Sequence, residues 1–209
     1  MARSVIIIVG YATLYALAHS WLASRRMKDW TWRALGAAAE RWYRLVYNLL
    51  GGVILLPLLP MLAWLPDRIL YTLPSPWLWL ALLGQLVALA GLVYGAWLTD
   101  AWHFLGLRQI LEPLAGTGRN RGPRLVVSGM YRWVRHPLYF WGLVFIWLMP
   151  QMTVNRLALF AVFSVYLYVG TFFEERRLVE EFGDDYRAYQ RRVPRLIPAP
   201  WALRWRGPV

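Results

Sequence analysis

Long apolar runs, each close to the length that crosses a bilayer as a helix, dominate this chain and leave little room for any other class of fold. Three of them, at 4–22, 42–65 and 77–98, approach the ~20 residues that a transmembrane helix needs. Two shorter runs follow at 137–149 and 157–173, separated only by a turn at 150–156. They read as a helical hairpin whose two outer ends lie on one side. Hydrophobic residues make up 59% of the 209 residues, against about 45–50% in a soluble domain. The first run follows Arg3 but exceeds the ~7–15 apolar residues of a signal peptide, so it is read as a span. The expectation is one integral membrane domain over 1–209, all-α and polytopic, with about five transmembrane helices and a cytoplasmic C-terminal helix.

Arginines set the orientation. Of the 23 Lys and Arg residues, all but Arg3, Arg68 and Arg156 fall between spans one and two or in the first turn of span two, between spans three and four, or after span five. Cytoplasmic loops carry the excess of basic residues, so the amino terminus is expected outside and the carboxyl terminus in the cytoplasm. The net charge of +12 is then explained by anionic headgroups and this bias. It does not point to nucleic acid, for which the chain shows no binding module. The expected partner is the lipid bilayer. Cysteine is absent, which excludes disulfides, zinc–thiolate sites and a cysteine nucleophile. His19, His103 and His136 are too scattered to suggest a metal site, and none is expected. The stretch GTGRNRG at 116–122 reads as a flexible basic loop. It lacks the Gly-Lys-Ser/Thr ending of a phosphate loop.

Polar residues gather in two places, both on the expected cytoplasmic side. One is the stretch from Ser128 to Tyr139, just before span four; the other is Glu174-Glu-Arg-Arg-Leu178, just after span five. The hairpin brings them together, so a cationic cluster faces an anionic one at the membrane surface. That suits a zwitterionic ligand with an apolar body. The bland reading stays open: Arg132 and Arg135 as headgroup contacts, and Glu174 and Glu175 as a solvated helix face. The His136-Pro137 pair favours a site, because proline fixes the backbone beside a side chain that titrates near neutral pH. Glu174 and Glu175 lie about 100° apart on a helix and are not expected to share one target. A second cluster, Asp100, His103, Arg108 and Gln109, follows span three. Asp100 and His103, three residues apart, could pair, and that would suit His103 to take a thiol proton. A polar turn capping the span is the alternative.

These motifs carry a resemblance. Gly129-x-Tyr131-x-x-x-Arg135-His136-Pro137-x-Tyr139, Glu174-Glu175-x-x-Leu178, Phe182-Gly183-x-x-Tyr186-x-x-Tyr189 and Arg195-Leu196-Ile197-Pro198 resemble the carboxy-terminal half of the isoprenylcysteine carboxyl methyltransferase superfamily. His19-Ser20-x-x-Ala23-Ser24, Glu40-Arg41-x-Tyr43 and Leu105-Gly106-Leu107-Arg108-Gln109 are similar to its branch of nurim, NnrU-type proteins and methanethiol S-methyltransferase. The resemblance implies nurim-like helices over 1–112 and a cofactor-binding half over 125–198. It implies a methyltransferase of the bacterial inner membrane that uses S-adenosyl-L-methionine and acts on a small or lipophilic acceptor, such as the thiol methanethiol. Tyr131, Arg135, His136, Pro137, Tyr139, Glu174 and Glu175 would hold the cofactor, with Arg135 pairing its carboxylate; His103, Arg108 and Gln109 would serve catalysis. The prenylcysteine enzymes carry a basic residue just before the Glu-Glu pair, where this chain has Gly170-Thr-Phe-Phe173. That departure favours a small neutral acceptor over a carboxylate. The alternatives are an isoprenylcysteine-type carboxyl or phospholipid methyltransferase, a non-catalytic nurim-like protein, and a membrane reductase using a nicotinamide cofactor.

Overall fold

The computed structural model describes residues 1–111 and 125–199. The basic stretch at 116–122 lies outside the described residues. The elements in chain order are α1 (Ala2–Ala23), α2 (Arg25–Leu35), α3 (Ala37–Leu55), α4 (Leu58–Trp64), β1 (Ile69–Thr72), α5 (Trp77–Leu98), α6 (Ala101–Leu105), α7 (Arg108–Leu111), a 3-10 turn (Gly129–Arg132), α8 (Pro137–Trp147), β2 (Gln151–Thr153) and α9 (Val154–Arg192). Among the described residues four stretches are long and apolar enough to cross a membrane: Ala2–Ala23, Arg41–Trp64, Trp77–Leu98 and Val154–Arg192. Pro137–Trp147 is apolar but shorter. The chain is an all-α polytopic membrane protein. Its large side chains confirm the solvent it is built for. Leu86, Val93 and Trp97 on α5 are each more than 60% exposed, which hydrocarbon tolerates and water does not.

The chain forms two compact units that interleave in sequence. Of the described residues, the first comprises 1–71, 100–111 and 151–163, and the second 72–99, 125–150 and 164–199. In the first unit α1, α2 and α3 pack on one another, and α6 and α7 pack on α3. The expected span at 42–65 is two helices here. They part at Leu56–Pro57, because proline has no N–H to donate to the preceding turn. The linker after span one is also helical: Ser24 caps α2 by accepting a hydrogen bond from the Met27 N–H at 3.3 Å. β1 and β2 pair as a two-stranded ladder. Asp67 secures it, its Oδ1 accepting from the N–H groups of Arg68 and Asn155 at 2.8 and 3.0 Å.

The second unit is built on α5 against α8. Ala81, Gly84, Ala88, Gly91 and Gly95 repeat at helical spacing along one face of α5. Small residues let membrane helices approach closely, where packing rather than the hydrophobic effect holds them. A Cβ on Gly84 would stand 2.5 Å from Leu148 Cδ1, and one on Gly91 2.5 Å from the Trp141 ring. α9 begins in the first unit and continues through the second, and at Gly183 its backbone leaves helical geometry with φ +57°. Pro194 follows soon after its end at Arg192.

Overpacking a filled interface costs about 1–3 kcal/mol. Gly91→Leu is therefore expected to lower the melting temperature of the purified protein by several degrees. Gly10→Leu, where a Cβ meets nothing within 4 Å, should leave it unchanged. Equal melting of both variants and wild type would refute the α5–α8 contact.

Candidate active site

Backbone geometry places the first wall. Gly129, at φ +58°, opens the 3-10 turn where a Cβ would meet Leu98 at 2.9 Å. The turn delivers Arg135 and His136 to the start of α8, with Pro137 in its first turn and His136 at the N-cap. The N–H groups of Arg135 and His136 donate to the carbonyls of Pro194 and Arg195 at 2.9 and 3.2 Å. The segment after α9 is thereby clasped to the segment before α8.

Glu175 is the hub beneath this wall. Its carboxylate is 5% exposed and accepts from Arg135 Nε at 2.8 Å, Arg195 Nη2 at 3.0 Å, Gln190 Nε2 at 3.0 Å and His136 Nε2 at 3.1 Å. Arg135 also donates from Nη1 to the carbonyls of Gln190 and Val193 at 2.8 and 2.6 Å. The structure thus turns Arg135 inward, to a carboxylate and two carbonyls of the protein itself, where the sequence suggested a cofactor carboxylate. Arg195 lies with its guanidinium carbon 3.8 Å from the Phe172 ring centroid.

Glu174 faces the other way. Its side chain is 40% exposed, and its Oε2 lies 3.3 Å from His136 Nδ1. The two glutamates do share a target after all: each takes one nitrogen of the same imidazole. A carboxylate in its charged form only accepts hydrogen bonds, so both His136 nitrogens donate and the ring is an imidazolium. Burial pulls the His136 pKa down, but hydrogen bonds to Glu174 and Glu175 and their charges outweigh it, and the pKa lies above its ordinary 6.5. Tyr139 stacks on this ring at 5.4 Å and 12° and hydrogen-bonds Glu174. Burial, then the charge of Glu174, raises the Tyr131 pKa, so its phenol stays protonated.

Above these groups is a cavity of about 200 Å³ in the second unit, lined by Tyr131, His136, Tyr139 and Glu174 on its polar side and by Leu178 and Phe182 among its apolar walls. Tyr186 also lines it; it is 1% exposed, and its hydroxyl is buried without a hydrogen-bond partner. A buried polar group without a partner is costly, which sets this hydroxyl apart from the other tyrosines of the site. Of the seven residues expected at a cofactor, six line or border this cavity, while Glu175 lies beneath it. Tyr186 and Arg195 stood in the recognised motifs without an assigned role. Gln190 carried no sequence signal.

His103, Arg108 and Gln109 come together in the first unit, on α6 and α7. Asp100 does not meet the His103 imidazole. Its Oδ1 caps α6 by accepting the His103 N–H at 3.2 Å, and its Oδ2 pairs with Arg108. Aspartate at an N-cap satisfies an otherwise orphan backbone donor, and that outcompetes the side-chain pairing. Gln109 Nε2 lies 3.2 Å from both the His103 carbonyl and His103 Nδ1. Both contacts hold the Gln109 amide against His103.

A model of the isoprenylcysteine carboxyl methyltransferase family matches residues 116–183. The chain is 34% identical to methanethiol S-methyltransferase 1 of Bradyrhizobium diazoefficiens over 201 residues, covering 94% of this chain and 68% of that protein. It is 34% identical to the methanethiol S-methyltransferase of Pseudomonas deceptionensis, covering 90% and 70%. It is also 33% identical to the protein-S-isoprenylcysteine O-methyltransferase of Schizosaccharomyces pombe over 129 residues, 53% of each chain. No solved structure matches. Fold and relatives define an integral membrane methyltransferase. The chain belongs to the isoprenylcysteine carboxyl methyltransferase family, in the branch of the methanethiol S-methyltransferases.

Removing one partner from a buried ion pair costs about 3–5 kcal/mol, because the other charge is stranded. Glu175→Ala should cost stability of that order in denaturant unfolding. The raised His136 pKa fixes the sign of a pH effect. Its stabilisation is complete below pH 6.5, the unfolded value, and is lost as pH rises through the higher folded value. Melting temperature should fall across that alkaline window in wild type, and His136→Gln should flatten the fall. A pH profile identical in the two proteins would contradict the imidazolium.

Proposed function

We propose that the chain transfers a methyl group from S-adenosylmethionine to a small thiol such as methanethiol, with the donor held in the half over 125–198. The observation that carries the donor site is the cavity lined by Glu174, whose side chain is 40% exposed, and by Tyr186, whose hydroxyl lacks a partner, among largely apolar walls. These groups fit the donor. Glu174 can accept from an ammonium or ribose hydroxyls, and Tyr186 can pair with a carboxylate or ring nitrogen. Tyr131, Tyr139 and Phe182 offer ring surface to adenine. When bound, S-adenosylmethionine supplies a methyl group on a cationic sulfur, which a thiolate displaces while the electron pair stays with the donor sulfur.

The protein's own part is positioning and dryness. Arg135 and Glu175 hold the His136 wall. His136, charged between two carboxylates, keeps Glu174 aimed at the cavity. Leu178 and Phe182 exclude water. Small-thiol acceptance is supported by the methanethiol S-methyltransferases matched over most of the chain and by the uncharged Gly170–Phe173 stretch. In the first unit, His103 is placed to orient an acceptor, with Gln109 against its Nδ1 and Arg108 paired to the Asp100 that caps its helix. The basic-residue bias supports an outer amino terminus and a cytoplasmic carboxyl terminus, and the bacterial sources of the methanethiol S-methyltransferase relatives support residence in a bacterial inner membrane.

Calorimetry with S-adenosylhomocysteine tests the donor site. Glu174→Gln and Tyr186→Phe should each weaken binding about tenfold, since a hydrogen bond to a charged group contributes about 1.5–3 kcal/mol; unchanged affinity in both refutes the site. Headspace detection of dimethyl sulfide from membranes given methanethiol and S-adenosylmethionine tests the acceptor. His103→Ala should lower turnover without changing the shape of the pH–rate profile. Methyl ester formed on farnesylcysteine, with no dimethyl sulfide, would restore the carboxyl methyltransferase reading.

A further inference from the structure

The first unit holds a second cavity, also of about 200 Å³, with almost wholly apolar walls. Met27, Trp30 and Leu35 of α2 form one side; Trp42, Val46 and Leu50 of α3 form the other. The polar groups at its edge already have partners within the protein. The Tyr43 hydroxyl donates to the Leu22 carbonyl, the Tyr47 hydroxyl lies 3.1 Å from His19 Nδ1, and Thr31 donates to the Met27 carbonyl at 2.8 Å. The chemistry left on offer suits hydrocarbon. Its α3 wall, Trp42, Val46 and Leu50, lies inside the apolar stretch beginning at Arg41.

The α2 side of the cleft carries charge. α2 reads Arg-Arg-Met-Lys-Asp-Trp-Thr-Trp-Arg-Ala-Leu, with four cations and one acid. Arg26, Trp30 and Arg33 follow one another at i, i+4 and i+7, so two exposed guanidinium groups stand one turn to either side of the tryptophan that lines the cleft. A short amphipathic helix rich in arginine and tryptophan belongs in the headgroup plane. Cations there attract anionic lipids over zwitterionic ones.

We propose that the α2–α3 cleft binds one acyl chain of an anionic phospholipid, with its headgroup phosphate held between Arg26 and Arg33. The lipid acts as a missing piece of the packing, filling the groove between an interfacial helix and a spanning one. A free phosphate would lack the chain that the cleft is shaped to take, and a zwitterionic lipid would gain less from the two arginines.

Native mass spectrometry of the purified, delipidated full chain tests this, with dioleoylphosphatidylglycerol and dioleoylphosphatidylcholine offered in equal amounts. The phosphatidylglycerol should be retained on the order of tenfold more strongly. Arg26→Gln with Arg33→Gln should bring the two lipids to parity, and Ala38→Trp, which fills the cleft, should abolish retention of both. Glycerol phosphate should not compete. Equal retention of both lipids by wild type, which needs no variant to fold, overturns the proposal. So does an undiminished preference in the arginine variant, retention by Ala38→Trp, or competition by glycerol phosphate.

Discussion

A buried carboxylate cannot stay charged unless its surroundings supply the hydrogen bonds that water would have given, and Glu175 has them from four side chains. Those side chains come from distant parts of the second unit: Arg135 and His136 before α8, Gln190 near the end of α9, and Arg195 beyond it. One ion therefore fixes the relation of three segments. Buried pairs of this kind are weak sources of net stability, because desolvation offsets much of the attraction. Their strength is in geometry: alternatives that separate the charges are heavily penalised.

That hub explains why the neighbouring glutamate is available. Glu175 holds one edge of the His136 imidazolium and Glu174 holds the other, and only Glu174 reaches the cavity. Adjacent residues with identical chemistry thus serve different ends, one holding the wall and one facing the ligand space. The orphan Tyr186 hydroxyl is the complementary feature, since its ring belongs to the packed cluster with Tyr189 and Val193 while its oxygen is left unpaired.

How much of this could be read from the chain depended on the range of the interactions involved. The span at 77–98 coincides with α5 because its signal is local: twenty-two residues without a charge. The Arg-His-Pro and Glu-Glu motifs were legible as one site because a short turn at 150–156 forces their proximity. The split of the second span at Pro57 and the helicity of Arg25–Leu35 were legible in principle, through proline chemistry and a capping serine, but the basic charge of the linker masked them. The direction of the Arg135 side chain was not legible at all. It depends on the carbonyls of Gln190 and Val193 and on Glu175, up to 58 residues away. Asp100 shows the same limit at short range, because the i,i+3 spacing fits both an imidazole partner and an N-cap, and backbone demand decided for the cap.

The central physical claim is that His136 is an imidazolium clamped between two carboxylates. Nitrogen-15 spectroscopy of histidine-labelled protein, with the His136 signal assigned by comparison with His136→Gln, reads the state of both ring nitrogens directly. Two protonated nitrogens are expected to persist above the ordinary titration point of 6.5. Loss of one proton at or below pH 6.5 would contradict the imidazolium clamp.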